Sequence, residues 1–267
     1  MLYLLINSIF YYMHVYVTHP ILLLKQIKKK VLGANQDAFM HFVDLFRDKI
    51  GLEIGGPSSI FQDKGYLPAY KFAKRVDGVN FSNSTVWEGN IEEGMSYRYA
   101  TDKQGYQFIN EGNDLSRIEP HQYDFILSSH NLEHFANPLK AVKEWHRVLK
   151  PGGAMLVILP DKRYTFDHLR PTTTMKHLKE DFQKDIGEDD LTHLEEILKL
   201  HDLSRDPGAR EIDFEERSKR NFENRCLHHH VFDGHLVKEI YDYFNIETLF
   251  VRQEAPYNLI VMGRKKL

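Results

Sequence analysis

Tyr123-Asp124-Phe125-Ile126-Leu127-Ser128, then Asn137-Pro138, then Trp145-His146-Arg147-Val148-Leu149-Lys150-Pro151-Gly152-Gly153 and Ala154-Met155-Leu156-Val157-Ile158-Leu159 form the stretch that decides the fold. The first run is short, apolar and β-branched or aromatic, as a strand requires. Asn137 is a good N-cap and Pro138 fits the first helical turn. Leu139, Val142, Trp145 and Leu149 then recur at helical spacing, giving a buried stripe. Lys150-Pro151-Gly152-Gly153 stops the helix, because proline fixes φ and glycine accepts a positive φ in the turn that follows. Ala154–Leu159 is a continuous apolar strand, the pattern of a sheet covered on both faces.

Outward from this unit the alternation continues. Phe39, Phe42, Val43, Phe46 and Ile50 mark a helix from Asn35 onward, and Gly51-Leu52-Glu53-Ile54-Gly55-Gly56-Pro57 is a short strand ending in glycines. Val76–Phe81 and Tyr106–Asn110 read as further strands. Asp161–Asn224 breaks the rhythm: it is polar, with helices expected near Thr173–Ile186 and Leu191–Leu203, and stands as an insertion after the Ala154–Leu159 strand. Ile246–Arg252 and Asn258–Gly263, joined by Glu254-Ala255-Pro256, must pair antiparallel. Such alternation defines an α/β fold: a doubly wound, mostly parallel sheet with an antiparallel last strand. The chain divides into an apolar segment 1–33, a core 34–160, a helical insertion and acceptor cap 161–224, and a closing part 225–267.

The composition of the 267 residues excludes several classes. With 42% hydrophobic and 27% charged residues the chain is neither disordered nor fibrous. Its net charge of -3 gives no general attraction to nucleic acid, and no nucleic-acid partner is expected. The single Cys226 excludes an internal disulfide and a thiolate metal cluster, which fits a reducing, cytoplasmic compartment. Residues 1–24 carry no Asp, Glu, Lys or Arg and precede Lys25, Lys28, Lys29 and Lys30. That length suits a bilayer, with the lysines on the cytoplasmic side, but Asn7, His14, His19 and Pro20 make a poor span. The segment reads as a helix packed on the domain, a mistaken start, or a peripheral membrane contact.

In an open α/β sheet, ligands bind beyond the carboxyl ends of the strands. Polar residues follow five successive strands: Gly55-Gly56 after Glu53, Asn80, Asn113-Asp114, Ser129-His130, and Asp161-Lys162-Arg163. Against this frame Leu52-Glu53-Ile54-Gly55-Gly56 resembles motif I of the class I S-adenosylmethionine-dependent methyltransferases. Tyr123 to Phe135 resembles that family's fourth strand and loop, and Trp145 to Gly153 its "E-x-x-R-V-L-K-P-G-G" signature. The resemblance covers roughly Leu52–Pro160 plus the last twenty residues. It implies a seven-stranded Rossmann-like methyltransferase sheet and S-adenosylmethionine as cofactor. Carried over by position, it implies Glu53, Gly55 and Gly56 on the methionine and ribose side. Asn80 stands where an acid usually accepts the ribose hydroxyls, Asn113 or Asp114 would bond the adenine, and Ser129 and His130 would border the sulfonium. Motif I departs from the pattern in Pro57 and Ser59, where more glycines are usual.

The acceptor base is expected among His130, Asp161 and His168, with Asp167 and the His228-His229-His230 run as further candidates. His134 is expected to be structural. If extended, His228 and His230 would share a face opposite His229. A metal there would need a third ligand such as His235 or Asp161, and no metal site is assigned. Lys162, Arg163, Tyr164 and Arg170 are expected to hold an anionic or sugar-like acceptor. A looser similarity of Asp161–Leu178 to methyltransferases of surface-polysaccharide synthesis implies O-methylation of a saccharide or other small molecule. Two other readings are a non-catalytic nucleotide-binding or membrane-associated scaffold, and a nicotinamide-dependent oxidoreductase. The latter's G-x-G-x-x-G fingerprint is missing from Gly55-Gly56-Pro57-Ser58. The oligomeric state is not legible.

Overall fold

The computed structural model describes residues 36–85, 88–206, 214–254 and 257–267. The N-terminal segment 1–33, residues 207–213 of the insertion and the Ala255-Pro256 turn lie outside them. No helix among the described residues is long and apolar enough to cross a membrane.

Among the described residues ten strands form: β1 (Ile50–Ile54), β2 (Arg75–Asn80), β3 (Ser84–Thr85), β4 (Gly89–Asn90), β5 (Gly94–Ala100), β6 (Lys103–Ile109), β7 (Tyr123–Ser129), β8 (Leu149–Pro160), β9 (Ile246–Glu254) and β10 (Asn258–Lys265). The main sheet has eight strands in the order β5-β6-β2-β1-β7-β8-β10-β9, and β3 and β4 make a separate hairpin. The parallel strands β6, β2, β1, β7 and β8 form its centre, and β10 runs antiparallel to both β8 and β9, as the sequence predicts. The expected count of seven is corrected by β5, which pairs antiparallel with β6 at the edge. Its alternation is plain: Tyr97 and Tyr99 are buried while Ser96 and Arg98 are exposed.

Strand order reverses between β1 and β7, where β1 leads to β2 on one side and β7 to β8 on the other. The registers align the strand ends there: Ile54 pairs with Val79 and with Ser128, and Ser129 with Ile158. A crevice at such a switch point is where this class of sheet binds ligands.

Both faces of the sheet are covered, which is why its strands read as unbroken apolar runs. On one face the helices Pro138–Val148 and Gly234–Tyr243 bury Leu139, Trp145, Val237 and Tyr241 against Leu52, Ile126 and Val261. Asn137 caps the first by accepting from the Lys140 amide, with Pro138 at its start. On the other face Phe39, Phe46, Phe61 and Tyr70 pack on Phe125, Leu127 and Ile158. The helix expected from Asn35 to Ile50 is shorter than its apolar stripe. Asp37–Met40 is one turn, Val43–Leu45 is a 3-10 turn, and Asp48 takes φ 58° to bring Ile50 into β1. The stripe residues Phe39, Val43 and Phe46 are buried all the same. The insertion contains helices Met175–Gln183, Leu194–Leu200, Phe214–Lys219 and Asn221–Asn224.

Candidate functional site

A crevice of about 300 Å³ opens at the switch point, lined by Ile54, Gly55, Pro57, Val79, Asn80, Phe81, Glu88, Glu111, Gly112, Ser129, His130, Asn131, His134, Phe135, Glu188 and Arg225. That volume lies at the lower end of the range for ligand pockets. Gly55 forms the floor with φ +78°, and a Cβ there would stand 2.4 Å from Nδ2 of Asn131. Only glycine meets both demands.

Of the residues expected at the site, the structure brings Gly55, Asn80, Ser129 and His130 together along this crevice. Asn80 is buried and donates from Nδ2 to the Gly56 carbonyl at 3.1 Å, so it braces the loop after β1. Glu53 and Gly56 serve each other instead of lining the space. Glu53 is completely buried and accepts from the Tyr70 and Tyr97 hydroxyls and from the Ser58 amide. A Cβ on Gly56 would fall 2.2 Å from the Glu53 carboxyl carbon. Burial pushes the Glu53 pKa up to about 7 despite those donors. Here desolvation of the charged form outweighs hydrogen bonding.

Asn113 and Asp114 also lie elsewhere than expected. Asn113 is buried and donates to Glu188 at 2.9 Å. Asp114 accepts from the Ser116 amide and lines a separate recess with Lys140, Glu144 and Arg147. β6 ends at Ile109, and the turn behind it presents Glu111 and Gly112 to the crevice. Asp161 and His168 are likewise absent from its lining. Asp161 is buried and gripped by Arg163 Nε at 2.9 Å and Nη2 at 2.6 Å, while His168 Nε2 meets Asp202 at 2.9 Å.

The cap cations are consumed internally. Arg170 is buried, bonded to Asp167, Glu196 and the carbonyls of His228 and His229, and Lys162 donates to the Arg170 carbonyl. The cap's contribution to the crevice is Glu188, reached by Arg225 Nη1 at 3.1 Å just beyond the insertion. Burial pushes the Glu188 pKa up to about 7, against the pull of Arg225. Neither residue carries a sequence signal, since they converge from distant loops.

His130 takes φ 49°, a conformation that histidine tolerates better than most residues. Its Nε2 lies 2.8 Å from Asn258 Oδ1 on β10, so Nε2–H donates and Nδ1 holds the lone pair. The protein around it lowers its pKa by desolvation, although 39% of the side chain stays open to solvent in the crevice. The run 228–230 is not a strand, and its three rings diverge. His228 meets Asp167, His229 meets Asn221, and His230 meets the Ala136 carbonyl. His235, once a candidate third ligand, is exposed on helix Gly234–Tyr243 beside Glu239. Among the described residues, groups of metal-ligand type form instead at Glu133/His134/His228, His177/His193/His230 and Asp190/His193/His229.

The crevice fits an adenosyl sulfonium ligand on two observations. The Gly55 floor admits backbone-close approach, and Asn131, in the lining, has its Oδ1 buried without a hydrogen-bond partner, an acceptor suited to a ligand donor. The fold is a Rossmann-like α/β sheet with a crevice at its switch point. Residues 67–157 match the family model described as a methyltransferase domain. That match spans 91 of the 267 residues and takes in β2, β7, the helix Pro138–Val148 and most of β8.

Similar solved structures include a SAM-dependent methyltransferase from Aquifex aeolicus (14% identity, 90% of this chain and 96% of that one, TM-score 0.45). Another is a methyltransferase from Mesorhizobium loti (13%, 85% and 96%, TM-score 0.47). A third is the 1,6-didemethyltoxoflavin-N1-methyltransferase of Burkholderia thailandensis with S-adenosylhomocysteine bound (12%, 87% and 80%, TM-score 0.43). No curated protein matches the chain.

Proposed function

We propose that the chain methylates a hydroxyl of a small-molecule acceptor, a saccharide by preference, in the crevice floored by Gly55. The observation that carries this reading is the placement of His130, with an unprotonated Nδ1, on the same rim as Gly55 and Asn131. Gly55 and Asn131 would hold the methionine end of the cofactor, and Ile54, Val79, Phe81 and Phe135 supply apolar walls for its ring system. When bound, the cofactor supplies an electrophilic methyl group on a positively charged sulfur. His130 takes the acceptor's proton as its oxygen forms the bond to carbon and the carbon–sulfur bond breaks. Positioning of this kind contributes up to roughly 7–11 kcal/mol in favourable cases, and a well-placed base adds about 10²–10⁴-fold.

The polar part of the lining supports a polyhydroxylated acceptor: Glu88, Glu111, Glu188 and Arg225 are in it, with Arg225 paired to Glu111 and Glu188. The test is methyl transfer from labelled S-adenosylmethionine to a panel of sugars and nucleotide sugars, beside amines and thiols, with calorimetric binding of S-adenosylhomocysteine run in parallel. Labelled sugar is the expected result. Transfer only to amines or thiols would overturn the saccharide hydroxyl, and failure of S-adenosylhomocysteine to bind would overturn the crevice as the cofactor site.

A further inference from the structure

We propose that Glu133, His134 and His228 form a binding site for a divalent transition-metal ion, zinc or manganese in class, on the acceptor wall of the crevice. Glu133 follows β7 in the 3-10 turn Leu132–His134 and is 1% exposed. Neither of its carboxylate oxygens has a hydrogen-bond partner among the described residues. A buried carboxylate left without partners is costly, and buried charges are ordinarily paired or bound to metal.

Three imidazoles surround that carboxylate. Nε2 of His134, Nε2 of His228 and Nδ1 of His130 each lie 3.9 Å from the same Glu133 Oε1, too far to hydrogen-bond it. In the first two the opposite nitrogen is committed. His134 Nδ1 donates to the Leu227 carbonyl at 2.9 Å, and His228 Nδ1 meets Asp167 Oδ2 at 2.5 Å. In the neutral rings each Nε2 is therefore the lone-pair nitrogen, 3.9 Å from Glu133 Oε1. Asp167 is fixed in turn by Arg170 Nη1 at 2.9 Å. A carboxylate behind a histidine whose other nitrogen faces a shared centre is the outer-shell pattern of metal-bound imidazole.

The ligand atoms of Glu133, His134 and His228 all lie within 4.8 Å of one another. An ion about 2.0–2.2 Å from each donor brings tetrahedral ligands to roughly 3.3–3.6 Å apart. Contraction of the two 3.9 Å Glu133–histidine separations by a few tenths of an ångström, and of the histidine–histidine separation by up to about 1.5 Å, closes the site. Two histidines and a glutamate leave a coordination position open. His134 and His130 line the crevice, so the site adjoins the space where an acceptor would lie. On the reading that this crevice methylates a hydroxyl, an ion held by Glu133, His134 and His228 would lower that hydroxyl's pKa, and His130 would receive the proton.

The ion is tested without turnover. Chelator-treated protein is titrated with Zn²⁺ and with Mn²⁺ by calorimetry, beside Glu133→Gln, His228→Ala, Asp167→Asn and a His177→Ala/His193→Ala double variant. The expected result is submicromolar binding of one of these ions, weakened at least 100-fold in Glu133→Gln and His228→Ala. Asp167→Asn weakens it roughly 10–100-fold, as loss of an outer-shell partner does, and the double variant keeps it. Wild-type binding of S-adenosylhomocysteine by Glu133→Gln shows that its fold survives. Absence of binding, binding untouched by Glu133→Gln, or binding lost only with His177 and His193 would each overturn the site. Failure of S-adenosylhomocysteine to bind the wild-type protein would overturn the cofactor reading and leave the metal result standing.

Discussion

The Gly55 backbone lies so near the Asn131 side chain that a Cβ on Gly55 would stand 2.4 Å from Asn131 Nδ2. Asn131 must therefore move if Gly55 becomes alanine, and the φ of +78° adds strain of about 1–2 kcal/mol. Gly55→Ala is expected to weaken S-adenosylhomocysteine binding at least tenfold, an effect of about 1.4 kcal/mol, with a modest fall in melting temperature. Asn131→Gly combined with Gly55→Ala relieves the clash but not the strain, so it restores stability only in part. Calorimetry and thermal unfolding of the three variants check both halves.

Glu53 makes folding pH-dependent. Its pKa rises from 4.5 to about 7 because burial disfavours the charge more than Tyr70, Tyr97 and Ser58 favour it. Between those pH values the folded chain keeps a proton that the unfolded chain has released. Stability therefore falls as pH rises through this window, by about 3 kcal/mol in all. Glu53→Gln removes that slope. Glu133 and Glu188 have similarly raised values, so the measurement is the difference between Glu53→Gln and wild type in urea unfolding from pH 5 to 8. Parallel curves would refute the assignment.

Arg225 and Glu188 meet at 3.1 Å with side chains only 10% and 8% exposed. Arg225 Nη2 also holds Glu111 at 2.7 Å, and its guanidinium lies over the Phe81 ring. Removing one partner of such a buried pair costs roughly 3–5 kcal/mol, because the other charge is left uncompensated. Arg225→Met is expected to destabilise by that amount at pH 8. The loss shrinks toward pH 5, where Glu188 is protonated in wild type and variant alike and no carboxylate is left uncompensated there. Denaturant unfolding at the two pH values checks the amount and its direction.

Trp145 shows why the central unit was legible in sequence and parts of the rim were not. Its burial follows from helical spacing, and its indole donates to the Gly112 carbonyl at 2.7 Å, tying the helix to the crevice edge. Local signals of this kind, the Asn137 cap and the apolar runs of β7 and β8, fixed the parallel centre and the positions of Gly55, Asn80, Ser129 and His130. β5 carries a period-two pattern, but Gly94-Met95-Ser96 and Arg98 dilute it. Glu53 looked like a ligand residue because sequence shows a strand end and not the two tyrosines folded over it. Asp114 looked like one because a turn of unknown shape separates it from β6. Glu188 and Arg225 come from the far side of the insertion, where only tertiary packing brings them to the crevice.

His130 is the acceptor base in the proposed reaction, and the choice of variant decides whether that role can be read. Alanine at φ 49° would add strain of its own, whereas asparagine tolerates this region. His130→Asn is therefore expected to lower the single-turnover methyl-transfer rate by about 10²–10⁴-fold while S-adenosylhomocysteine affinity stays within a few-fold of wild type. Asn258→Ala removes the partner at Nε2, freeing the ring to rotate and exchange its protonated nitrogen. Its rate loss should be smaller than that of His130→Asn, and the two losses should not add in the double variant, because both act through one imidazole. A rate unchanged by His130→Asn, with cofactor affinity intact, would remove the base from this residue and leave proton removal to another group on the acceptor wall.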